Sequence, residues 1–331
     1  MPEVLDTFIR DQLLVRREKL QHTAKVSPHP QHLHHLLQEV DSALERIEDG
    51  SYGICERCHE SIESDRLIAD PLIRVCLCNL SPAERDALEQ DLQLAARVQR
   101  GLLPPSELVR PGWHVAYHYQ AAGLVSGDYC DVIDAGPDGL FFMIGDVSGK
   151  GVAASMLTAH LHAMFRTLIS VGLPLKCMLE HASRVFAEST LPNHYATLVC
   201  GHAFPDGRLE LSNAGHPPPL VARGDEVSAV DGAGLPVGMF ANEEFAVTEL
   251  HLEPGNRLIV YSDGVSEAED GAGSQYGTER LRKLIGCPSA STPPGLVALC
   301  REDLLEFCGE APMLDDRTLF VLARSSSAAS I

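Results

Sequence analysis

The sequence predicts an α+β fold in which antiparallel strands are layered against helices, preceded by a smaller helical, cysteine-bearing region. Three observations carry this. Strand-like and helix-like stretches beyond residue 110 come in separate runs, where a doubly wound sheet would alternate them. ATLVCGHAF (196–204) and RLELSN (208–213) flank Pro205-Asp206-Gly207, the composition of a hairpin turn. Four of the ten cysteines, Cys55, Cys58, Cys76 and Cys78, crowd into one short segment, which in a cytosolic chain points to a metal.

The elements follow in order. Residues 1–50 read as a helical region: helices over 1–22 and 31–49, the second with Leu33, Leu36, Leu37, Val40, Leu44 and Ile47 at helical spacing. Ser27-Pro28-His29-Pro30 breaks the chain between them. Residues 51–80 form the cysteine segment. A linker helix spans 81–103: Ser81 caps it, Pro82 suits its first turn and Glu84 completes a capping box. Its apolar positions Leu88, Leu92, Ala95, Val98 and Leu102 run close to a heptad, so it is expected to pair with a second copy of itself. Leu103-Pro104-Pro105 ends it.

Residues 104–325 form the large domain. Trp113, Val115, Tyr117 and Tyr119 alternate as in a half-buried strand, and LFFMIGD (140–146), RLIVYSD (257–263) and RTLFVLA (317–323) read as buried strands. Two helices lie near 153–171 and 174–188. The first buries Leu157, Leu161, Met164, Phe165 and Leu168. The tail, 326–331, is expected to be disordered.

Composition narrows the function. A net charge of −20 repels nucleic acid phosphates, which argues against direct DNA or RNA binding. No apolar run approaches the ~18 residues needed to cross a bilayer. The N-terminus lacks a signal-peptide core, so a cytoplasmic protein is expected.

The aspartates are the informative feature. Asp128 follows Ser126-Gly127, Asp146 ends LFFMIG, Asp263 ends RLIVYS, and Asp315 and Asp316 precede RTLFVLA. Each sits at a strand end or beside glycine, where side chains from distant segments can converge. Carboxylates so gathered repel unless cations lie between them, and hard oxygen ligands favour Mg²⁺ or Mn²⁺ over Zn²⁺. Two such ions ~4 Å apart would activate a hydroxide and clamp a phosphoryl group. Competing motifs fail. Cys177 and Arg184 are one residue too far apart for a cysteine phosphatase. GDVSGKG (145–151) lacks the spacing and the Ser or Thr of a P-loop. His216, in NAGHPPP, reads as part of a turn. His29, His32, His34 and His35 read as surface residues beside a helix start.

SGDYCD (126–131), GDVSGKG (145–151), ATLVCG (196–201), NAGHPPPL (213–220), YSDGVSEA (261–268) and DDRTL (315–319) stand in the order and rough spacing of SpoIIE-type serine phosphatases. The large domain therefore resembles a member of the metal-dependent PPM superfamily over about residues 110–325. The resemblance implies an α-β-β-α sandwich, two antiparallel sheets flanked by helices. It implies Asp128, Asp146, Asp263 and Asp315 as catalytic metal ligands, with Asp146 touching both Mn²⁺ or Mg²⁺ ions. The carbonyl of Val147 would add a main-chain ligand, and Asp316 is the alternative to Asp315. Ser126 replaces the first glycine of the usual GGD block, and Ser148 stands where the wider superfamily can carry a histidine acid.

ALERIEDGSYGICERCHESIESDRLIADP (43–71) resembles the DksA/TraR-type zinc finger and its preceding helix. Cys55, Cys58, Cys76 and Cys78 would then hold a structural Zn²⁺. That family puts two residues between the last two cysteines; here there is one, Leu77, and His59 is a candidate substitute ligand. Together the resemblances imply a phosphoserine/phosphothreonine phosphatase that is a homodimer. Its protein substrate would be a phosphorylated anti-sigma-factor antagonist of STAS type. The alternatives are a degenerate scaffold and an effector that binds RNA polymerase through the N-terminal region.

Overall fold

The computed structural model describes residues 9–10, 13–14, 17, 30–63, 66–67, 71–79, 82–149, 151–190, 194–240, 243–287 and 292–325. Most of the helix expected over 1–22, the Ser81 cap and the tail 326–331 lie outside the described residues. The chain divides into two compact units, Met1–Asp91 and Leu92–Ile331.

In the first unit, helix α1 (Pro30–Glu48) contributes Val40, Ala43 and Leu44 to a small core shared with Ile9, Leu13, Tyr52, Cys55, Ile62, Leu67 and Cys76. Of the expected stripe, Val40 and Leu44 are buried in this core and Ile47 packs against it, while the side chains of Leu33 and Leu36 lie outside the described residues. The segment has little regular structure of its own: a bridge from Ile54 to Ser61 and a 3-10 turn at Leu77–Asn79. Polar ties replace a larger core. Tyr52 donates to the Pro71 carbonyl at 2.8 Å, and Arg74 reaches both Ser42 and Glu56.

Helix α2 (Pro82–Leu102) crosses the division between the units. From Leu92 onward it belongs to the larger unit, where Ala96 is buried and Gln99 bonds. The apolar seam is therefore split. Leu88 and Val98 stay exposed, whereas Leu102 is partly covered.

The large unit is a four-layered sandwich. One sheet runs β1 (Glu107–Arg110), β2 (Trp113–Gln120), β12 (Arg317–Arg324), β11 (Arg257–Tyr261), β7 (Leu220–Arg223) and β8 (Glu226–Ala229). The other runs β10 (Thr248–His251), β6 (Arg208–Ala214), β5 (Ala196–Ala203), β4 (Leu140–Val147) and β3 (Asp128–Asp134), with β9 (Ala233–Gly234) added parallel to β6. The remaining pairs are antiparallel, including the hairpin around Asp206.

Strand periodicity explains the layers. Successive side chains point to opposite faces, so Phe142 and Ile144 of β4 enter the inter-sheet core with Trp113, Val199, Val260 and Phe320. Phe141 and Met143 turn outward, under helices α3 (Gly151–Ser170) and α4 (Leu175–Ser189), with Phe165, Met178 and Phe186. On the other side, Ile259, Tyr261 and Val321 meet α6 (Thr278–Ile285) and α7 (Pro293–Cys308). Both faces of each central strand are covered, which is why LFFMIG is continuously apolar. Each fully buried Phe of this set contributes on the order of 1.5–3 kcal/mol. Gly201 makes room for one of them: a Cβ there would fall 2.1 Å from the Phe142 ring.

Candidate metal centres

The acidic site lies at one end of the sandwich, where β3 and β4 start and finish beside the ends of β11 and β12. Asp128 opens β3 and stands directly opposite Asp146 of β4. Asp128 shares a strand face with Cys130 and Val132, so it points between the sheets. It is only 3% exposed and reaches across to the other sheet. There Ser262 Oγ donates to its Oδ2 at 3.0 Å and Thr318 Oγ1 at 2.5 Å, while Ser262 Oγ accepts the Thr318 N–H at 2.9 Å. Burial, and then the neighbouring charge of Asp146, push the Asp128 carboxyl well above its ordinary range. The two hydroxyl donors oppose this without cancelling it.

Asp263 starts a one-turn helix, α5 (Asp263–Ser266), immediately beyond β11. The sequence reading ends the strand at that residue; in the structure the strand stops at Tyr261 and the aspartate heads the turn. Asp315 precedes β12 and is exposed. The two segments abut: a Cβ on Gly264 would meet the Asp316 carbonyl at 1.9 Å and Asp315 Cβ at 3.3 Å. Among the described residues, no three of these carboxylates come within 4.8 Å of one another. Asp128 thus stands opposite Asp146 on the β3–β4 pair, and the turn that begins at Asp263 abuts the Asp315–Asp316 segment.

Asp316 differs from its neighbour. Its Oδ1 accepts the Ala122 N–H and its Oδ2 the Gly127 N–H, both at 2.7 Å. It ties the 122–127 loop to the start of β12 and so sets the entry to Asp128. Gly127 is tight for a second reason: a Cβ would sit 3.0 Å from Asp146 Oδ1 and 3.1 Å from the Val147 carbonyl. Those two oxygens therefore lie together against the Gly127 backbone. Clustered oxygen donors beside a buried carboxylate fit hard divalent cations.

Further residues that the motifs do not announce hold this rim. Gln99, near the end of α2, pairs with the backbone of Ser126: its Oε1 accepts the Ser126 N–H at 3.0 Å and its Nε2 donates to the Ser126 carbonyl at 2.7 Å. The same nitrogen donates to Thr158 Oγ1 of α3 at 3.1 Å. On the helix-facing side of β3, fully buried Asp131 accepts two bonds from Arg166 at 2.9 and 2.8 Å. Arg166 belongs to α3, whose first turn follows closely after Asp146. Hydroxyl residues beside the aspartates in YSD and DRT were the sequence signal for Ser262 and Thr318. Gln99 and Arg166 had none.

Ser148 is fixed by two bonds to Tyr195: its N–H donates to the carbonyl at 2.9 Å and its Oγ accepts the Tyr195 N–H at 3.0 Å. His216 is buried, with Nδ1 2.9 Å from Thr197 Oγ1. Asn213 bonds both its N–H and its carbonyl. Burial pushes the ring down to about 3, so it stays neutral, as the turn reading expects.

In the other unit, Cys55, Cys58 and Cys76 bring their sulfurs within 4.8 Å of one another. Cys78 Sγ stands 3.5 Å from Cys58 Sγ and 2.6 Å from Cys76 Sγ. Burial opposes ionisation of Cys55, but N–H groups of Cys76, Cys58 and Arg57 directed at its sulfur outweigh it and lower its pKa. Four gathered thiols with a stabilised thiolate fit Zn²⁺. His59 takes a left-handed backbone (φ 61°) and donates its N–H to the Cys55 carbonyl, which is the work of a turn residue.

Comparison with known proteins agrees with this division. Residues 50–78 match the prokaryotic dksA/traR C4-type zinc finger, and residues 136–325 match the family described as stage II sporulation protein E (SpoIIE). Protein IcfG of Synechocystis sp. is 25% identical over 264 residues, covering 71% of this chain and 42% of that protein. Phosphoserine phosphatase RsbP of Bacillus subtilis is 29% identical over 185 residues, covering 54% and 46%. The chain thus spans less than half the length of these two relatives. Among solved structures, the SiaA-PP2C domain of Pseudomonas aeruginosa superposes with a TM-score of 0.62 at 21% identity, covering 73% of this chain and 98% of that one, which shows the fold. The RsbU and RsbW domains of Rv1364c from Mycobacterium tuberculosis give 0.56 at 28% identity, covering 67% and 62%. With the family match spanning more than half of its residues, this chain belongs to the SpoIIE family and carries a dksA/traR-type zinc finger ahead of that domain.

Proposed function

We propose that the chain is a Mn²⁺- or Mg²⁺-dependent protein phosphatase that hydrolyses phosphoserine and phosphothreonine. One observation carries the reading: Asp128 is buried opposite Asp146, short of positive charge, at the rim where Asp263 and Asp315 leave the other sheet. Asp128, Asp146, the Val147 carbonyl, Asp263 and Asp315 would hold two ions. When bound, such a pair makes hydroxide available near neutral pH and offsets the charge of a phosphoryl group. Ser262 and Thr318 orient Asp128, and Asp316 and Gln99 fix the turn that delivers it. Ser148 Oγ accepts the Tyr195 N–H, which holds this side chain in place beside the aspartate block.

The substrate reading rests on relatives named as phosphoserine phosphatases, RsbP and RsbU of Bacillus subtilis. It assigns a phosphorylated anti-sigma-factor antagonist of STAS type as the protein dephosphorylated. Exposed Leu88 and Val98 on α2 support pairing with a second copy. Among the described residues no helix is long and apolar enough to cross a membrane. The cysteine unit holds zinc in a structural role. The intact set of carboxylates argues against a degenerate scaffold.

Asp146→Asn and Asp263→Asn test the reading. Each is expected to lower Mn²⁺-dependent hydrolysis of a phosphoserine peptide by at least about 10²-fold. Wild-type rates in either variant with Mn²⁺ present defeat it.

A further inference from the structure

We propose that His216 is a positioning residue for the two ions: its ring, and the stiff segment that carries it, set the distance between Asp146 on one sheet and Asp263 beyond the other. The inference rests on the reading of the rim as a dinuclear site.

The chain passes from one sheet to the other at this place. β6 ends at Ala214, residues 215–219 cross over, and Leu220 opens β7, which pairs with β11 at Ile259. The crossing lies at the acidic end. Ala214 pairs with Leu198 of β5, and nearby Ala196 on that strand pairs with Val147 of β4. Little in the segment can give way. Gly215 takes a left-handed backbone (φ 74°), and a Cβ there would fall 2.8 Å from the Pro236 ring. Asn213 Oδ1 accepts the His216 N–H at 2.8 Å, and Asn213 Nδ2 donates to the His216 carbonyl at 3.0 Å. Pro217, Pro218 and Pro219 follow, each with φ fixed by its own ring.

The imidazole faces both sheets. It is 3% exposed, and its Nδ1 stands 2.9 Å from Thr197 Oγ1. Thr197 is the cross-strand partner of Asp146, so the two side chains share a face. Thr197 Oγ1 also lies 3.4 Å from the Asp146 carbonyl. On the other side, the carbonyl of Tyr261, two residues before Asp263, acts to keep a proton on the ring. Nε2 is closed to water and makes no well-formed hydrogen bond among the described residues. A leucine would fill this space without enclosing a polar atom in that way, so packing alone does not call for histidine.

The consequence is geometric. Hard cations tolerate little error in ligand position, Mg²⁺ least of all. Ser262 and Thr318 hold Asp128 across the sheets on one side of the rim. His216 serves Asp146 and Asp263 on the other side, acting on Asp146 through Thr197 and on Asp263 through the end of β11.

The test reads Mn²⁺ binding directly. Full-length, zinc-loaded protein is titrated with Mn²⁺, and the free ion is measured by its electron paramagnetic resonance signal. His216→Leu fills the space without the nitrogens, and Thr197→Val keeps the shape of threonine without its hydroxyl. Each is expected to raise the Kd for Mn²⁺ about tenfold. The double variant should match the weaker-binding single one, because both changes remove the same link. Thr197→Ser keeps the hydroxyl and should stay within roughly twofold of wild type. Wild-type affinity in His216→Leu or Thr197→Val overturns the proposal, as do multiplied effects in the double variant. Urea unfolding of chelator-treated protein adds a second arm: lost stability with an unchanged Kd marks a packing role and also overturns it. Should His216→Leu fail to fold, the two Thr197 variants decide alone. Wild type that binds two Mn²⁺ but leaves a phosphoserine peptide intact defeats the phosphatase reading, and the Kd comparison still judges His216. Wild type that binds no Mn²⁺ defeats both.

Discussion

Replacing Arg166 with alanine should be more damaging than its half-exposed position suggests. Its partner Asp131 has no side-chain surface in contact with water, and Arg166 supplies two of its hydrogen bonds. Removing one partner of a buried pair leaves an uncompensated charge, at a typical cost of about 3–5 kcal/mol. Arg166 itself is 46% exposed, so solvent screening puts the value near the lower end, about 3 kcal/mol. For a unit of this size that lowers Tm by about 6–12 °C. Asp131→Asn keeps an acceptor and removes the charge, so it should cost only about 1–2 kcal/mol. The double variant buries no charge and should cost at least about 1 kcal/mol less than the two single costs combined. Chelator-treated protein, unfolded in urea and followed by circular dichroism, gives all three values. Additivity within about 0.5 kcal/mol, or an Arg166→Ala cost below about 1 kcal/mol, refutes the reasoning. His162 adds a pH signature. Its Nε2 lies 3.6 Å from Asp131. Burial, and secondarily the Arg166 charge, hold its pKa down, while Asp131 raises it. Without Arg166 the ring protonates more readily and can stand in for the lost cation. The stability gap to wild type should therefore narrow as the pH is lowered through the titration of this histidine in the variant, and stay level above it.

Three other outcomes are expected. Asp128→Asn relieves the repulsion across the β3–β4 pair, so the metal-free variant should be more stable than metal-free wild type by about 1–3 kcal/mol. It should also lose the Tm rise that Mn²⁺ gives wild type; thermal melts with and without Mn²⁺ measure both. Gln99→Ala deprives the buried Ser126 backbone of a partner, so the Mn²⁺ concentration for half-maximal activity should rise about 5–10-fold and the unit should lose about 1–3 kcal/mol of stability in the melt. His216 should show no proton titration between pH 5 and 8 by NMR, because burial holds it near 3, and the pH–rate profile should carry no step from it.

Much of the architecture was legible because the sandwich buries both faces of its central strands. Runs such as LFFMIG and RLIVY could be nothing but buried elements, and Pro205-Asp206-Gly207 fixed one hairpin. Short edge strands such as β1, β8 and β10, with exposed side chains at alternate or most positions, carry no such signature. The four aspartates stood out because glycine or a strand end adjoined each. Asp316 did not separate itself from Asp315 by pattern. Only the fold shows that its oxygens meet the N–H groups of Ala122 and Gly127, almost two hundred residues away in the chain. The heptad in α2 was read as one seam, but a helix can serve two neighbours. Gln99, a polar residue inside that repeat, is where the pattern broke.

The grip of Ser262 and Thr318 on Asp128 joins the two sheets at the mouth of the cleft like a clasp between two leaves. Cation affinity therefore depends on the spacing of the leaves as well as on the ligands. Cys130 lies two residues deeper on the same face, fully enclosed. A bulkier side chain there would pry the leaves apart and weaken metal binding without touching a carboxylate, so loss of activity alone does not identify a ligand in this fold.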